Sequence, residues 1–360
     1  MESNLVAATA AEVGARAAGR APVARRLFVP LAIAMASRLF SIACIVAMSI
    51  VGRGTANPFT LWDGTWYLGI VNGGYSGYRV AFFPGWPVSI KIATLGFLDP
   101  AAVAVVVANM LAVAAIVAVW VVLDARLGRD AADRGTLLLA FAPAAFVLSM
   151  AYSEALFLLV VALAFLASDR LGRIPASALA MLIRSTSVAL LVAGFVAAIR
   201  AKGVARRNLV WATAAGCVAL AGWAGAVGLI TGDPLGFFHF GSSSWTHEDS
   251  LATAWDVIQH PAHEATLLLR MATLAVVIAG AVVVLRRDLE LGVFSCVALC
   301  LAVVPGSMVG SYARYALAAF PAYAGLGRLF GRKGTLLLAI AFAAIQVVLI
   351  HDTLFRHIAP

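Results

Sequence analysis

The sequence predicts an all-helical protein that crosses a membrane many times. Of its 360 residues, 63% are apolar and 12% are charged, whereas a soluble domain has about half apolar and about a quarter charged residues. The mean hydropathy of +0.97 agrees with this assignment. The net charge is +9, but the basic residues are spread over short loops. Such a distribution lacks the clustered basic surface that nucleic-acid binding requires, so we expect no nucleic-acid partner.

The apolar segments define the expected membrane helices. They cover 28–51, 82–98, 101–123, 135–150, 153–168, 174–199, 209–230, 265–285, 289–309, 313–329 and 335–352. Because a helix needs about 20 residues to cross the bilayer core, several of these segments are short. We therefore expect a bundle of about 10–11 transmembrane helices, some of them short or broken.

Basic clusters predict the cytoplasmic side of the bundle. The clusters are Arg25/Arg26, Arg126 to Arg134, Arg170/Arg173, Arg200 to Arg207, Arg286/Arg287 and Arg328 to Lys333. If all are cytoplasmic, segment 82–98 cannot be a full span, and segment 174–199 must break near Arg184 and return. The loops 52–80 and 231–264 then lie on the outer side.

The chain is expected to form one membrane-embedded domain over 28–360, preceded by a cytoplasmic segment, 1–27. The sequence contains no internal repeat and no change of composition that would mark a second domain. It also has no glycine-rich motif that would bind a soluble nucleotide.

The first outer loop contains a candidate reactive carboxylate. Trp62 and Trp66 are four residues apart, as are Asp63 and Tyr67, which fits helical faces at the membrane surface. Asp63 is the only acid in this loop. It can act in chemistry, or it can cap the interfacial helix.

Further ionisable residues within or beside apolar segments include Arg38, Glu154, Arg184 and Arg314. Charges at such depth cost several kcal/mol unless they are paired or face water, so they are candidates for a functional site. The alternative is a Glu154–Arg pair that only holds helices together.

Six stretches in order resemble the GPI mannosyltransferase II (PIG-V-like) family, whose members are membrane glycosyltransferases of the GT-C type. The matching stretches are Trp62-Asp63-Gly64 with Gly74-Tyr75, Ala81 to Pro87, Ala151 to Phe157 after Pro143, Ile183-Arg184-Ser185, Gly232-Asp233-Pro234 with Phe237 and Trp245, and Arg314-Tyr315 before Phe320-Pro321. The resemblance implies transfer of mannose from a lipid-phosphate donor to an acceptor glycolipid on the outer or lumenal face. It also implies that the aspartate of the first loop lies at the reaction centre.

The sequence departs from this family in two places. Thr186 and Ser187 stand where many relatives have Gly or Asn after Arg-Ser, and Thr246 and His247 follow the loop tryptophan where a basic residue is common. We expect these departures to affect the identity of the acceptor more than the chemistry of the donor.

The residues themselves suit this chemistry. A carboxylate can take the proton of the attacking hydroxyl, and arginine forks can hold the leaving phosphate. With Asp63 as general base and no second carboxylate placed as nucleophile, we expect inversion and no need for a divalent metal. The expected substrate-binding residues are Trp62, Trp66, Tyr67, Tyr75, Tyr152, Glu154, Arg184, Asp233, Trp245, Arg314 and Tyr315.

The expected partners are membrane lipids, a polyprenyl-phosphate-mannose donor and a glycolipid or glycan acceptor. The Arg-biased, Ala-rich composition is typical of a high-GC bacterium, which favours a polyprenyl carrier and a plasma-membrane location. Intramembrane charges with broken helices also describe a transporter or flippase, and this alternative stays open.

Overall fold

The computed structural model describes residues 23–52, 57–167, 169–239, 250–260, 264–303, 309–356 and 358–360. The predicted segment 1–27 lies almost wholly outside these ranges. Over the described residues the chain is helical without a β-strand, which confirms the predicted all-α class.

Fourteen α-helices occur in the described parts of the chain. They are α1 (Val23–Val51), α2 (Asp63–Gly73), α3 (Gly85–Ala93), α4 (Pro100–Leu127), α5 (Arg129–Ala140), α6 (Glu154–Leu166), α7 (Arg170–Ile183), α8 (Val188–Arg200), α9 (Gly203–Thr231), α10 (Ser250–Gln259), α11 (Ala265–Leu285), α12 (Leu289–Cys300), α13 (Tyr312–Ala318) and α14 (Phe320–His351). Of these, α1, α4, α9, α11 and α14 are long and apolar enough to cross a membrane. Shorter apolar helices include α6, α8 and α12.

Two predicted interruptions are present. Helix α7 ends at Ile183, Arg184 is extended (φ −155°, ψ 147°), and α8 begins at Val188 after a single 3₁₀ turn. Segment 82–98 contains only the nine-residue helix α3, which is too short to cross a bilayer. Both features agree with the topology that the charge distribution predicts, in which each segment returns to the side from which it came.

Helix α14 consists of two helical halves that meet at Gly331, whose backbone is not helical (φ 60°, ψ −170°). The chain reverses direction at this residue. Before this point Arg328 donates to the carbonyl of Leu127, at the end of α4. After it, Thr353 lies beside Trp62, at the opposite end of the bundle. The chain therefore passes along the bundle twice, as the separate apolar segments 313–329 and 335–352 predict.

Two of the predicted basic clusters, those of Arg126 and Arg173, meet at one end of the bundle. Arg126 forms two hydrogen bonds to Asp288, of 2.7 and 2.9 Å, and one of 3.2 Å to Glu290. Arg173 also pairs with Glu290, so α4, α7 and α12 are joined there. We call this the Arg126 end, and the opposite end the Asp63 end.

Glycines allow α11 and α14 to pack backbone against backbone. A Cβ atom added to Gly280 would lie 2.1 Å from the carbonyl oxygen of Ala322, and one added to Gly325 would lie 2.0 Å from that of Gly280. Neither atom belongs to a flexible side chain that could move away.

Replacing Gly280 by Val is therefore expected to lower the free energy of unfolding by about 1–3 kcal/mol or more, through overpacking. Thermal unfolding of the purified protein in detergent measures this. The control is Gly225→Ala in α9, where an added Cβ meets nothing within 4 Å. Equal melting temperatures of the two variants would contradict the close packing.

Candidate functional site

An irregular connecting segment, residues 141–153, leads into the candidate site. It joins α5 to α6 and is almost entirely buried. Buried backbone outside a helix requires partners, because no water satisfies its polar groups. Arg38 of α1 supplies one: its guanidinium donates to the carbonyl of Ala145 (2.8 Å). The same group donates to the hydroxyl of Ser149 (3.1 Å) and to the carbonyl of Ala140 (3.4 Å), the last residue of α5.

Other elements hold the last residues of the connecting segment. Asn109 of α4 donates to the carbonyl of Ser149 (3.2 Å), and Trp86 of α3 donates to that of Ala151 (3.1 Å). The amide of Ala151 donates to the carbonyl of Phe59 in the first loop (2.8 Å). These bonds fix the start of α6, whose first residue is Glu154.

Asp63 lies at the start of α2. The preceding residue, Trp62, has φ 57°, a left-handed conformation that is strained for a bulky side chain and is typical of functional sites. The Asp63 side chain does not cap the helix; it accepts a hydrogen bond of 2.7 Å from Nη1 of Arg314. Its side-chain contact is therefore with another candidate residue and not with the backbone amides that a helix cap would bind.

Four charged residues form one cluster, which we call the charge cluster: Asp63, Glu154 and Arg314, which are buried, and Arg184, whose side chain is 13% exposed. Glu154 pairs closely with Arg184, and its Oε1 lies 3.6 Å from Nε of Arg314. Arg314 joins the two carboxylates, since it also holds Asp63. Each residue comes from a different part of the chain: α2, α6, the break after α7, and α13. The four formal charges sum to zero.

Tyrosines and a serine surround the charge cluster. Tyr67 bonds the hydroxyl of Ser153 (2.9 Å), which also accepts from Arg184 (3.2 Å). The guanidinium of Arg314 lies 5.6 Å from the ring centre of Tyr152. Tyr315 lines a small cavity together with Glu154, Arg184, Arg314, Phe157, Leu158, Thr186, Leu317 and Ala318. This cavity adjoins Glu154, Arg184 and Arg314, and Asp63 does not line it.

The first loop contains three further predicted site residues, all of them aromatic: Trp62, Trp66 and Tyr75. Trp62 donates to the carbonyl of Thr353 (3.5 Å), and Trp66 stacks on Phe82 with ring centres 6.0 Å apart. Tyr75 packs edge-on against Trp223, with ring centres 5.0 Å apart. These aromatic groups border the first loop.

Asp233 belongs to a separate, exposed pair. Its Oδ2 lies 2.7 Å from Nδ1 of His239, and its Oδ1 accepts from the amide of Leu235 (2.9 Å). The hydrogen bond with His239 lowers the pKa of the Asp233 carboxyl. Within the described residues, no contact joins Asp233 to the charge cluster. Trp245 lies outside the described residues.

Ser153 is a site residue that sequence reasoning missed. It links Tyr67 to Arg184 and stands directly before Glu154. The available signal was a small polar residue within an otherwise apolar stretch. Arg38 was visible as a charge in the first apolar segment, but its role in holding the connecting segment was not.

Comparison with known proteins gives one family match. The sequence profile described as mannosyltransferase (PIG-V) matches residues 27–215. This range includes Asp63, Glu154 and Arg184 but not Arg314. No curated protein matches the sequence at the level of significance required.

One solved structure that resembles the fold is the oligosaccharyltransferase of Archaeoglobus fulgidus, crystallised with zinc and sulfate. The TM-score is 0.49 and the sequence identity is 13%. The likeness covers 88% of the present chain and 53% of the archaeal one, so the chain spans about half the length of that protein.

Proposed function

The chain belongs to the mannosyltransferase (PIG-V) family and is therefore a membrane glycosyltransferase, and we propose that it transfers mannose from a polyprenyl-phosphate donor. The acceptor is a hydroxyl of a glycolipid or glycan on the outer face of the membrane. The charge cluster is the single observation that carries this proposal, because it holds Asp63 against Arg314 and joins Arg184 to the same group through Glu154.

Asp63 is the proposed general base. Sugar transfer requires a group that takes the proton of the attacking hydroxyl while the bond to the leaving phosphate breaks. The Asp63 carboxylate is buried and held in place by Arg314 at 2.7 Å. Such a fixed position suits a base whose substrate must arrive in one orientation.

Arg314 and Arg184 are the proposed phosphate-binding residues. Guanidinium groups match the geometry of phosphate oxygens and stabilise the charge that grows on a leaving phosphate. Since carboxylates already neutralise both arginines, the donor phosphate must compete with them. When the phosphate takes a position on Arg314, Asp63 loses a partner and becomes free to accept the proton.

Glu154 is proposed to position the arginines and not to attack the sugar. Its carboxylate lies between two guanidinium groups, which neutralise its charge and make it a poor nucleophile toward the sugar. A reaction with one base and no carboxylate nucleophile proceeds by single displacement with inversion. The arginines supply the positive charge, so this scheme requires no divalent metal.

Transfer can be tested directly in lipid vesicles. Purified protein receives radiolabelled polyprenyl-phosphate-mannose and a membrane lipid extract, with and without EDTA, and the products are separated. We expect a labelled product with inverted linkage, formed equally in both samples. If no labelled product forms although the donor binds, the transporter or flippase alternative gains support, since such a protein moves its substrate unchanged.

The sidedness of the two outer loops is a separate prediction. Cysteines introduced at Ser76 and at Ser243, which lies outside the described residues, should both react with an impermeant thiol reagent in intact cells. The background is a variant in which Cys44, Cys217, Cys296 and Cys300 are replaced by Ser. A cysteine at Lys333 serves as the control and should react only after permeabilisation. Labelling of only one of the two loops would disprove the arrangement.

A further inference from the structure

A second buried ion pair, Arg270 with Asp352, lies at the Asp63 end of the bundle. Arg270 is fully buried in α11, and Asp352, at the end of α14, is 1% exposed. Nη2 of Arg270 lies 3.7 Å from Oδ2 of Asp352. Arg356 also approaches Asp352, at 3.7 Å, but its side chain is half exposed. A buried ion pair seldom stabilises a protein more than apolar residues of the same size would, so we expect this pair to have a role other than stability.

Arg270 also holds the segment that leads to Arg314. Its Nη1 donates to the carbonyl of Gly310, in the 3₁₀ turn Val309–Ser311. This turn continues directly into α13, whose third residue is Arg314. The same nitrogen donates to the carbonyl of Ala359. Arg270 therefore fixes the start of the helix that carries one half of the Asp63–Arg314 pair.

The Asp352 side of the pair leads to Asp63. The next residue, Thr353, is buried, and its carbonyl accepts from the indole nitrogen of Trp62 at 3.5 Å. Trp62 is the strained residue directly before Asp63. One ion pair thus connects both sides of the charge cluster, through Gly310 on one side and through Thr353 on the other.

We propose that Arg270 and Asp352 form a positioning pair that sets the relative placement of Asp63 and Arg314. The inference rests on the proposed function, since it gives the pair a role in the geometry of transfer. Neither residue contacts substrate in this scheme. Loss of the pair would let the two sides move apart, and misplacement of about 1 Å can cost about 100-fold in rate.

The test removes both charges together, because one unpaired buried charge would itself damage folding. The variant is Arg270→Met/Asp352→Asn. Its control is Arg173→Met/Glu290→Gln, which removes an ion pair at the Arg126 end whose side chains are 12% and 9% exposed. Hydrogen exchange measured by mass spectrometry gives the amide exchange rates of the peptides that cover 57–68 and 309–318. This measurement does not require the protein to show enzymatic activity.

We expect the Arg270/Asp352 variant to exchange about tenfold faster in both peptides and the control variant to keep wild-type protection in both. The turnover of the Arg270/Asp352 variant should fall by about tenfold or more, while the control variant keeps wild-type turnover. Unchanged exchange in both peptides, or a change confined to 309–318, would overturn the proposal. Wild-type turnover in a variant with loosened peptides would overturn it as well.

The exchange measurement also separates this proposal from the proposed function. If the wild-type protein shows no transfer, the proposed function fails, while the exchange result still decides whether the pair joins the two segments. Should the double variant fail to fold, Asp352→Asn alone replaces it, because Arg270 then keeps its bonds to the carbonyls of Gly310 and Ala359, which offset part of the cost of its unpaired charge. In that variant we expect faster exchange mainly in 57–68, and unchanged exchange there would overturn the proposal.

Discussion

Replacing Asp63 by Asn is expected to lower kcat by about 10²- to 10⁴-fold, the usual contribution of a general base. Asn has the same shape and can still accept the hydrogen bond from Arg314, but it cannot take a proton. Donor binding should persist, since arginines hold the phosphate. The measurements are turnover at equal protein level and the affinity for polyprenyl phosphate.

The matched control for this change is Asp99→Asn. Asp99 is the N-cap of α4, where its Oδ2 accepts from the amide of Ala102 at 2.8 Å. Asn caps a helix nearly as well as Asp, so this variant should keep wild-type turnover. Near wild-type turnover in Asp63→Asn would remove the general-base assignment and reopen the transporter alternative.

Replacing Glu154 by Gln is expected to reduce both stability and turnover. The change leaves the mostly enclosed Arg184 without its carboxylate, and loss of one partner from a buried pair typically costs about 3–5 kcal/mol in the free energy of unfolding. The double variant Glu154→Gln/Arg184→Met removes both charges and should recover most of that stability. Its turnover should stay at least about tenfold below wild type, because the donor phosphate has lost an arginine.

This pair of variants separates a functional role from a purely structural one. If Glu154 and Arg184 only hold helices together, the double variant should recover turnover along with stability. Thermal unfolding and initial rates on the same preparations decide between the two. Recovered turnover would remove both residues from the proposed phosphate site.

The helix breaks were predictable because membrane topology follows from a few charges. The positive-inside rule predicts that Arg170/Arg173 and Arg200 to Arg207 share a side and that the segment between them returns, and the helix does break at Arg184. The same reasoning predicts the reversal near Gly331 between two passes. Hydropathy and positive charge therefore carry most of the information about the fold.

The pairing within the site was not predictable from the sequence. Asp63 and Arg314 are 251 residues apart, and no local pattern shows that they meet. Arg270 lies in an apolar helix and Asp352 at the end of another, and which carboxylate meets Arg270 depends on how α11 and α14 pack. That packing depends on Gly280 and Gly325, whose importance appears only once the two backbones are side by side.

The buried connecting segment 141–153 has a consequence for biosynthesis. The side chains that satisfy its backbone, Arg38, Trp86 and Asn109, all precede it in the chain. During synthesis these donors are already made when the segment leaves the ribosome, so its polar groups can find partners at once. Arg314, by contrast, is made last of the charge cluster. Until α13 leaves the ribosome, the nascent chain therefore contains Asp63, Glu154 and Arg184 but lacks Arg314, the ion-pair partner of Asp63.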